Sequence, residues 1–552
     1  MPNQPALPPV PQPAPLYYLD NFQQALDWLQ QRYVDLLDRQ ELDFIRCFTA
    51  LPETSRALLV RLIMRKGPHF RSDRLRYGEI GDIHDAAAPL LELGWITEDH
   101  PLDALELGKL LRREELLALL PAVAGLHTLR KPQLIEQLRS QRPGQGSFCQ
   151  WCPDHPARLF TLLVGDLCEG LRLMFFGNLR QGWEEFVLTQ LGVFRYEQVA
   201  LTPDSRGFQC REDINGYRHL YRCHQALDDG LPTTDVVALL GDEPLSNPWL
   251  GSRRARLEFT LARQLEREEQ LDAALELYQR SGWRGARQRR IRILEKRQQH
   301  RQAYDLVQSA LAEPEDDAEL QLVLRAQRRL ARKLGQPVLP VTGGADAALI
   351  ELTLPGPHPL GVELAVCEHL SSDEAPVHYV ENALIPGLFG LLCWEAIFHP
   401  LPGAFFHPFH SAPADLYSHD FHIRRRTQFE RCLARLEDAS YHSHIRRQWE
   451  LKQGIQTPFI HWGLLTEELL EQALHCLPAA HLRLWFRRLL ADLRSHRAGM
   501  PDLIQFYPRE QRYRMIEVKG PGDRLQDNQR RWLAFCAEHG MPVEVCHVRW
   551  SS

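Results

Sequence analysis

Apolar residues recur at helical spacing along most of the chain, as in the segments 21–50, 57–63 and 86–93. The segment 253–333, rich in Ala, Leu, Glu, Gln and Arg, predicts almost uninterrupted helix. Toward the C-terminus the pattern changes to short apolar and β-branched runs, with Gly343-Gly344 as a turn, and these runs predict strands. The expected fold is therefore multidomain and mainly α, with an α/β domain at the C-terminal end.

The N-terminal region combines a proline-rich start with the first helices. Residues 1–16 alternate Pro with small residues, which predicts a disordered tail. Over residues 17–100 the helices are followed by a short apolar strand at Gly94-Trp95-Ile96, an order typical of a winged-helix-like DNA-binding region. Two interpretations of this region are equally supported: it contacts the backbone of duplex DNA, or it is a generic helical packing domain.

The segment 101–142 predicts two short helices, the second with a basic start. The pair resembles the SAP fold, a small helical module in which helix N-termini and basic side chains grip DNA phosphates without reading bases. A plain helical hairpin is the alternative. The candidate DNA contacts in this segment are Lys109, Arg112, Arg113, Arg130 and Lys131.

Two further helical regions precede the last domain. Residues 143–250 are interpreted as a helical linker region, within which 159–173 is predicted to be an apolar helix. Residues 251–336 resemble TPR helix pairs, which often dock proteins. This region is also basic. Its basic residues are interpreted equally well as a nucleic-acid-facing patch and as a solvated helix face. Its cations are Arg280, Arg284, Arg287, Arg289, Arg290, Arg292, Lys296 and Arg297.

Composition and charge narrow the class of protein. The 552 residues carry a net charge of −6, and this total disfavours binding to nucleic acid. Acidic and basic segments are separated along the chain, however, so the protein can still have basic faces. There is no long uncharged apolar run and no signal-peptide pattern, so we expect a soluble intracellular protein without membrane contact. The 12 cysteines lack disulfide-scaffold spacing, and Cys149 and Cys152 have no second pair with which to bind zinc.

Two apolar runs near the C-terminus predict a β-hairpin. Residues 499–506 and 514–520 are each about strand length, and Tyr507 to Gln511 between them form a polar turn. If the hairpin closes near Arg509 and Glu510, antiparallel pairing brings Asp502 opposite Glu517. The period of two along a strand then places Glu517 and Lys519 on one face, with Val518 directed into the core.

Two acids and a lysine in this arrangement suit metal-dependent phosphodiester cleavage. Hard cations such as Mg²⁺ take oxygen ligands, polarise the phosphate and activate water. Lys519 can orient or deprotonate that water. Pro501-Asp502 followed by Glu517-Val518-Lys519 resembles the PD-(D/E)xK nuclease core, for which a charged exposed strand is the alternative.

A third acid, Glu381, is expected to open an almost entirely apolar helix. An acid at that position can be a helix cap or a metal ligand. Gln529, ten residues beyond Lys519, is expected on the next helix, where it either supports Lys519 or a phosphate or is an ordinary polar residue.

These residues lie within a longer similarity to the Fanconi-associated nuclease family, whose C-terminal catalytic part is the virus-type replication-repair (VRR) nuclease domain. The modules upstream come in the order expected for that family. The similar segments are 176–178, 192–197, 381–395, 420–426, 497–503, 517–525, Gln529 and 543–548.

The resemblance implies a restriction-endonuclease-like PD-(D/E)xK nuclease domain over 337–552. It also implies a structure-specific DNA nuclease, a 5′-flap endonuclease and 5′-to-3′ exonuclease, in interstrand-crosslink repair. The implied cofactor is Mg²⁺ or Mn²⁺, bound by Glu381, Asp502, Glu517 and the Val518 carbonyl, while Lys519 positions the nucleophile and Gln529 assists. Within the similar segments, Arg424 and Arg425 are further candidate DNA contacts.

Branched or 5′-flap DNA is the expected partner, with DNA-repair proteins in addition. No Cys/His cluster precedes Cys47, so the ubiquitin-binding zinc finger of eukaryotic members is not expected, and a bacterial member fits better. A bacterial member would be cytoplasmic and nucleoid-associated, and a eukaryotic one nuclear. A four-way-junction resolvase and a non-catalytic DNA-repair scaffold are the alternative functions.

Overall fold

The computed structural model describes residues 15–121, 126–183, 194–338, 347–356 and 358–551. The chain divides into two compact units, one of residues 1–194 with 208–214 and the other of residues 195–207 with 215–552. Most of the tail predicted over residues 1–16 and the turn predicted at Gly343-Gly344 lie outside the described residues. None of the described helices is both long enough and apolar enough to cross a membrane.

The first unit begins with helices that enclose an aromatic core. Asp38 and Glu41 form a capping box that starts the second helix, because each side chain accepts a hydrogen bond from the other residue's backbone N–H at 2.9 Å. Phe22 and Phe48 pack edge to face within this core. The helices of the N-terminal region are α1 Tyr17–Tyr33, α2 Arg39–Ala50, α3 Glu53–Ile63 and α4 Ile83–Glu92.

A three-stranded antiparallel sheet completes this region, in the order β1, β3, β2. Strands β1 (His69–Arg71) and β2 (Ile96–Thr97) follow α3 and α4, whereas the central strand β3 (Leu159–Leu162) comes from much later in the chain. The prediction of helix over 159–173 was therefore wrong at its start, and helix α9 covers only Gly165–Phe176. A short apolar run such as the one from residue 159 is compatible with either a helix or a buried strand. Its pairing with β1 and β2 makes it a strand.

The segment predicted to be SAP-like contains a close helix crossing. Gly108 lies on helix Ala104–Leu110, and an added Cβ there would lie 2.5 Å from Ile135 Cγ1 on helix Lys131–Gln141, so a larger residue would displace the Ile135 side chain. Leu107, Leu116 and Leu134 are buried between the helices. The helices are α5 Ala104–Leu110, α6 Arg113–Leu119, α7 Lys131–Gln141 and α8 Phe148–Trp151.

Successive helices of the region 248–334 pack against one another, and most of its basic residues are ion-paired. Six of the eight cations of the predicted basic run lie within ion-pair distance of acids in the same unit. Arg290 and Arg292 have no carboxylate partner among the described residues. They are therefore the two cations of this run whose charge is left for the predicted nucleic-acid-facing patch. Helices α10 Arg211–Asp228 and α11 Thr233–Leu240 precede this region, and its own helices are α12 Pro248–Arg267, α13 Leu271–Arg280, α14 Ala286–Lys296, α15 His300–Ala312 and α16 Asp317–Leu334.

The C-terminal part of the second unit is built on a five-stranded mixed sheet in the order β4, β8, β7, β6, β5. The three strands β4, β8 and β7 are parallel, while β6 pairs antiparallel with both β7 and β5. The mainly α chain therefore ends in an α/β domain, as its sequence predicted. The strands are β4 Ala348–Pro355, β5 Val377–Tyr379, β6 Leu503–Tyr507, β7 Arg512–Lys519 and β8 Val543–Ser551.

Helices cover this sheet, and one of them lies entirely inside the core. All nine residues of α18 (Leu384–Leu392) are buried, which explains its almost purely apolar sequence. The remaining helices are α17 Val362–Leu370, α19 Trp394–Ile397, α20 Phe421–Arg424, α21 Arg426–Ala434, α22 Tyr441–Lys452, α23 Glu467–Cys476, α24 Ala479–Ala491, α25 Leu493–His496 and α26 Asp527–Glu538.

Candidate active site

The hairpin of β6 and β7 has the register that the sequence predicted. A single 3₁₀ turn at Pro508–Glu510 joins the strands, and Leu503 pairs with Ile516. The next pair outward in this register is Asp502 with Glu517. The two carboxylates therefore lie side by side at the end of the hairpin that is remote from its turn, as expected.

Asp502 is buried and held by the backbone. Its Oδ2 accepts a hydrogen bond of 2.8 Å from the Val518 N–H, and its carbonyl accepts one of 2.9 Å from the Val380 N–H. Burial raises the pKa of Asp502 to about 6, against the opposing effects of the Val518 N–H and the charge of Lys519. The backbone thus fixes the position of this carboxylate, while burial makes its charged form costly without a counter-charge.

Glu517 and Lys519 face each other on one side of β7, as the period of two predicted. Lys519 Nζ lies 2.7 Å from Glu517 Oε1. Glu517 is fully buried, and within the described part of the chain neither of its oxygens has a partner in good hydrogen-bond geometry. The contact with Lys519 is therefore an ion pair. Burial and the charge of Asp502 raise the pKa of Glu517 to about 7.

Glu381 lies in the turn between β5 and α18 rather than at the start of the helix. Helix α18 begins three residues later, at Leu384, and no side chain caps it, so the interpretation of Glu381 as a helix cap is wrong. The side chain of Glu381 is exposed and accepts hydrogen bonds from Tyr379 Oη at 2.6 Å and Asn382 Nδ2 at 3.0 Å. Its charge contributes to the raised pKa values of both Asp502 and Glu517.

Gln529 lies on α26 as predicted, but its side chain is engaged at the start of that helix. Gln529 Oε1 accepts a 2.8 Å hydrogen bond from the Gln526 N–H, the reciprocal bond of a capping box. The described hydrogen bonds include none between Gln529 and Lys519. The structure therefore gives this residue a capping role, and its support of Lys519 or a phosphate remains a prediction.

Arg425 is a structural residue, and its interpretation as a DNA contact is wrong. Its side chain is fully buried and donates two hydrogen bonds to Asp415, at 2.8 and 2.9 Å, while its guanidinium lies 4.4 Å from the ring centre of Phe421. Arg424 also bonds to Asp415, at 2.6 Å, and to the Pro402 carbonyl. Both arginines hold the loop that precedes α20 in place.

The candidate DNA contacts of the SAP-like segment differ in exposure. Arg113 donates hydrogen bonds to the carbonyls of Leu129 and His127, which bind it to its own fold. Lys131 is half-buried at the start of α7. The exposed candidates are Lys109, Arg112 and Arg130.

Sequence reasoning missed three residues near the acids. Glu363, at the second position of α17, adds its charge to those that raise the pKa of Asp502. Tyr379 and Asn382 donate the two hydrogen bonds to Glu381. The signal for Glu363 was an acid at the start of an apolar helix, and for the other two it was their closeness in sequence to Glu381.

The chemistry of these donors fits a hard divalent cation. Asp502 and Glu517 offer carboxylate oxygens. Glu517 is fully buried beside Asp502, and the ion pair with Lys519 Nζ at its Oε1 is set against two buried carboxylates, so a further positive charge would be favourable here. Across the described ranges no three His, Cys, Asp or Glu side chains are grouped closely enough to hold a metal ion. The structure thus brings together Asp502, Glu517 and Lys519, with Glu381 beside them but outside such a group.

Family models match three stretches of the chain. Residues 16–97 match the FAN1 HTH domain, residues 101–151 the Fanconi anemia-associated nuclease SAP domain, and residues 436–550 the VRR-NUC domain. The last match contains the hairpin with Asp502, Glu517 and Lys519. The HTH and SAP matches lie on the helices that the sequence assigned to winged-helix-like and SAP-like regions.

Whole-chain relatives extend these matches. A Fanconi-associated nuclease 1 homolog of Pseudomonas aeruginosa is 52 % identical over 549 residues, covering 99 % of this chain and 97 % of the relative. Human Fanconi-associated nuclease 1 is 25 % identical over 635 residues, covering 96 % of this chain and 62 % of the human protein.

Solved structures agree with the relatives. The crystal structure of paFAN1 bound to 5′-flap DNA with a two-nucleotide flap and a gap superposes with a TM-score of 0.91 at 51 % identity, covering 98 % of this chain and all of that one. The complex with a one-nucleotide flap gives a TM-score of 0.88 at the same identity and coverage. The chain belongs to the Fanconi-associated nuclease family.

Proposed function

We propose that this nuclease is a bacterial enzyme that hydrolyses phosphodiester bonds in 5′-flap and other branched DNA with the help of Mg²⁺ or Mn²⁺. The proposal includes 5′-to-3′ exonuclease activity, a role in interstrand-crosslink repair, and a cytoplasmic location at the nucleoid. The observation that carries it is the buried group of Asp502, Glu517 and Lys519. The similar protein paFAN1, crystallised with 5′-flap DNA, supports the choice of substrate.

In this proposal each residue of the site has a defined part. Asp502 and Glu517, joined by Glu381 and the Val518 carbonyl, hold the cation. When bound, a divalent cation polarises the phosphate and lowers the pKa of water. Lys519, on the same face as Glu517, positions the attacking water and stabilises the charge that develops on the phosphate oxygens. The Val518 N–H keeps Asp502 turned toward this group.

The substrate is tested by comparing cleavage of labelled 5′ flaps, 3′ flaps and four-way junctions in Mg²⁺, with sedimentation to establish the oligomeric state. We expect preferential incision of the 5′ flap. Preferential symmetric incision of the junction by a dimer would instead indicate a resolvase. Specific binding without cleavage of any substrate would indicate a non-catalytic scaffold.

Metal affinity is expected to rise with pH. The pKa values of about 6 for Asp502 and about 7 for Glu517 mean that both carboxylates become charged only as the pH passes through this range. Since the cation binds the charged forms, isothermal titration with Mn²⁺ should show much tighter binding at pH 8 than at pH 5.5. Equal affinity at the two pH values would contradict this assignment.

The same shifts give the metal-free protein the opposite pH dependence. Both folded pKa values lie above the ordinary values of about 3.9 and 4.3, so the two acids stabilise the fold in their protonated forms. This contribution is lost as the pH rises through 6 to 7. Melting in EDTA at pH 5.5 and pH 8 should show it, and the double variant D502N/E517Q is the control that removes it.

The exposed cations of the SAP-like segment are expected to bind DNA phosphates. The double variant R112A/R130A should weaken DNA binding to a similar degree for all sequences. It should also reduce the slope of log affinity against log salt by about 0.9 for each phosphate that is no longer neutralised. Fluorescence anisotropy over a salt series measures both quantities.

A matched control removes two exposed arginines from the same unit. Arg39 and Arg46 already pair with Asp43, so R39A/R46A should change affinity and slope much less. Equal losses in both double variants would show that the SAP-like segment has no special role.

A further inference from the structure

Glu381 is held by two side chains that have no part in the PD-(D/E)xK pattern. Tyr379 Oη donates to Glu381 Oε2 at 2.6 Å, and Asn382 Nδ2 donates to Glu381 Oε1 at 3.0 Å. Each carboxylate oxygen therefore accepts one hydrogen bond and keeps a lone pair for another partner. An exposed glutamate without these bonds would sample several rotamers.

Asn382 also ties this carboxylate to the segment that carries Asp502. Its Oδ1 accepts a 3.1 Å hydrogen bond from the Met500 N–H, two residues before Asp502. One amide thus bonds Glu381 through its nitrogen and the Asp502 segment through its oxygen. The two bonds use opposite ends of a planar amide group. Asn382 therefore links the Glu381 carboxylate to the backbone of the segment that carries Asp502.

The backbone on both sides of this bridge has a restricted conformation. Asn382 has φ of +52°, in the left-handed region that asparagine, aspartate and glycine tolerate best. Gly499 has φ of +92°, and a Cβ there would lie 2.8 Å from the Asn528 backbone. Both segments therefore have a backbone conformation that few residue types adopt, on either side of the Asn382 bridge.

Strand pairing brings Tyr379 to the same end of the sheet. Tyr379 pairs with Leu503, and the Val380 N–H bonds to the Asp502 carbonyl at 2.9 Å. The residues 379–382 therefore run beside 500–503, with Glu381 on one segment and Asp502 on the other.

We propose that Tyr379 and Asn382 are positioning residues that hold the Glu381 carboxylate ready to bind the divalent cation with Asp502 and Glu517. This inference rests on the proposed function, since it takes Glu381 as a ligand. Hydrogen bonds that orient a metal ligand typically change metal affinity by about 10- to 100-fold. In this proposal Tyr379 and Asn382 act through the Glu381 carboxylate, to which each donates a hydrogen bond.

Two variants remove one hydrogen bond each. Y379F deletes only the hydroxyl. N382D keeps an oxygen for the Met500 N–H and tolerates the left-handed backbone, but replaces the donor to Glu381 with a negative oxygen. We expect isothermal titration to show about tenfold weaker Mn²⁺ binding for each variant, and the metal concentration for half-maximal cleavage should rise in parallel. High metal concentration should restore most of the activity.

Tyr507→Phe is the matched control. Its hydroxyl donates to Gln505 Oε1 at 2.9 Å on strand β6, toward the hairpin turn and away from the acids. This variant should bind Mn²⁺ as the wild type does. In an E381A background, Y379F should cause no additional loss, because the group through which it acts is already absent.

Each outcome has a distinct meaning. Wild-type Mn²⁺ affinity in Y379F and N382D, together with weakened affinity in E381A, would overturn the positioning role and leave the proposed function intact. Wild-type affinity in E381A would overturn Glu381 as a ligand and the positioning role with it. Loss of Mn²⁺ binding in D502A tests the proposed function separately. If N382D melts early, Y379F alone decides the positioning role.

Discussion

Replacing Asp502 by Ala is expected to lower cleavage of a labelled 5′ flap by at least about a thousandfold, which corresponds to about 4 kcal/mol of transition-state stabilisation. Asp502 is a buried carboxylate held toward Glu517 by the Val518 N–H, and its replacement removes one of the two paired acids of the hairpin. DNA affinity measured in EDTA should stay near the wild-type value, because the variant removes a negative charge and no basic residue.

The matched control for this variant is D373A, which removes the same charge from an exposed turn in the same unit. It should cleave the flap at the wild-type rate. Undiminished cleavage by D502A would show that the chemistry occurs elsewhere. Equal loss of cleavage and of DNA affinity would show that Asp502 organises the fold or the DNA surface instead.

Replacing Arg425 by Met is expected to destabilise the second unit by about 3 kcal/mol. Breaking a buried ion pair typically costs 3–5 kcal/mol because a charge is left buried, and the lower end applies here since Arg424 still bonds to Asp415. The urea midpoint, followed by tryptophan fluorescence, should fall. Below the transition, DNA affinity should be unchanged.

Arg426, the next residue, provides the control, because its side chain is exposed. R426M should unfold at the wild-type urea concentration. If R425M instead weakened DNA binding and left stability unchanged, Arg425 would be a DNA contact and its burial against Asp415 would not persist in solution.

The hairpin of β6 and β7 could be predicted in detail because its signals are local. Two strand-length runs and a polar turn fix the register, and the period of two then fixes which side chains share a face. The pairing of Leu503 with Ile516 and the contact of Glu517 with Lys519 follow from these rules alone. The paired acids at the end of the hairpin therefore needed no information from the rest of the chain.

The roles of the arginines could not be predicted, because their partners lie far away in sequence or in loops without a pattern. Arg287, for example, pairs with Glu319, and Arg425 pairs with Asp415 in an irregular segment. A basic run looks the same in sequence whether acids of neighbouring helices neutralise it or not. Only the packing of the helices distinguishes a DNA-facing patch from internal ion pairs.

Two other features depended on tertiary context. The apolar run 159–162 has no periodicity that distinguishes a strand from a helix. It forms a strand because it pairs with β1 and β2 in the three-stranded sheet. Glu381 stands before an apolar helix, but the left-handed residue Asn382 turns the chain, so that the helix begins later and the carboxylate remains beside the site.

The most direct test of the central claim is the anomalous scattering of Mn²⁺ in crystals of this protein with 5′-flap DNA. The proposed site predicts a peak about 2 Å from carboxylate oxygens of both Asp502 and Glu517, next to the scissile phosphate. A peak bound by other residues, with the phosphate distant from Asp502 and Glu517, would contradict the claim that this buried pair performs metal-dependent cleavage.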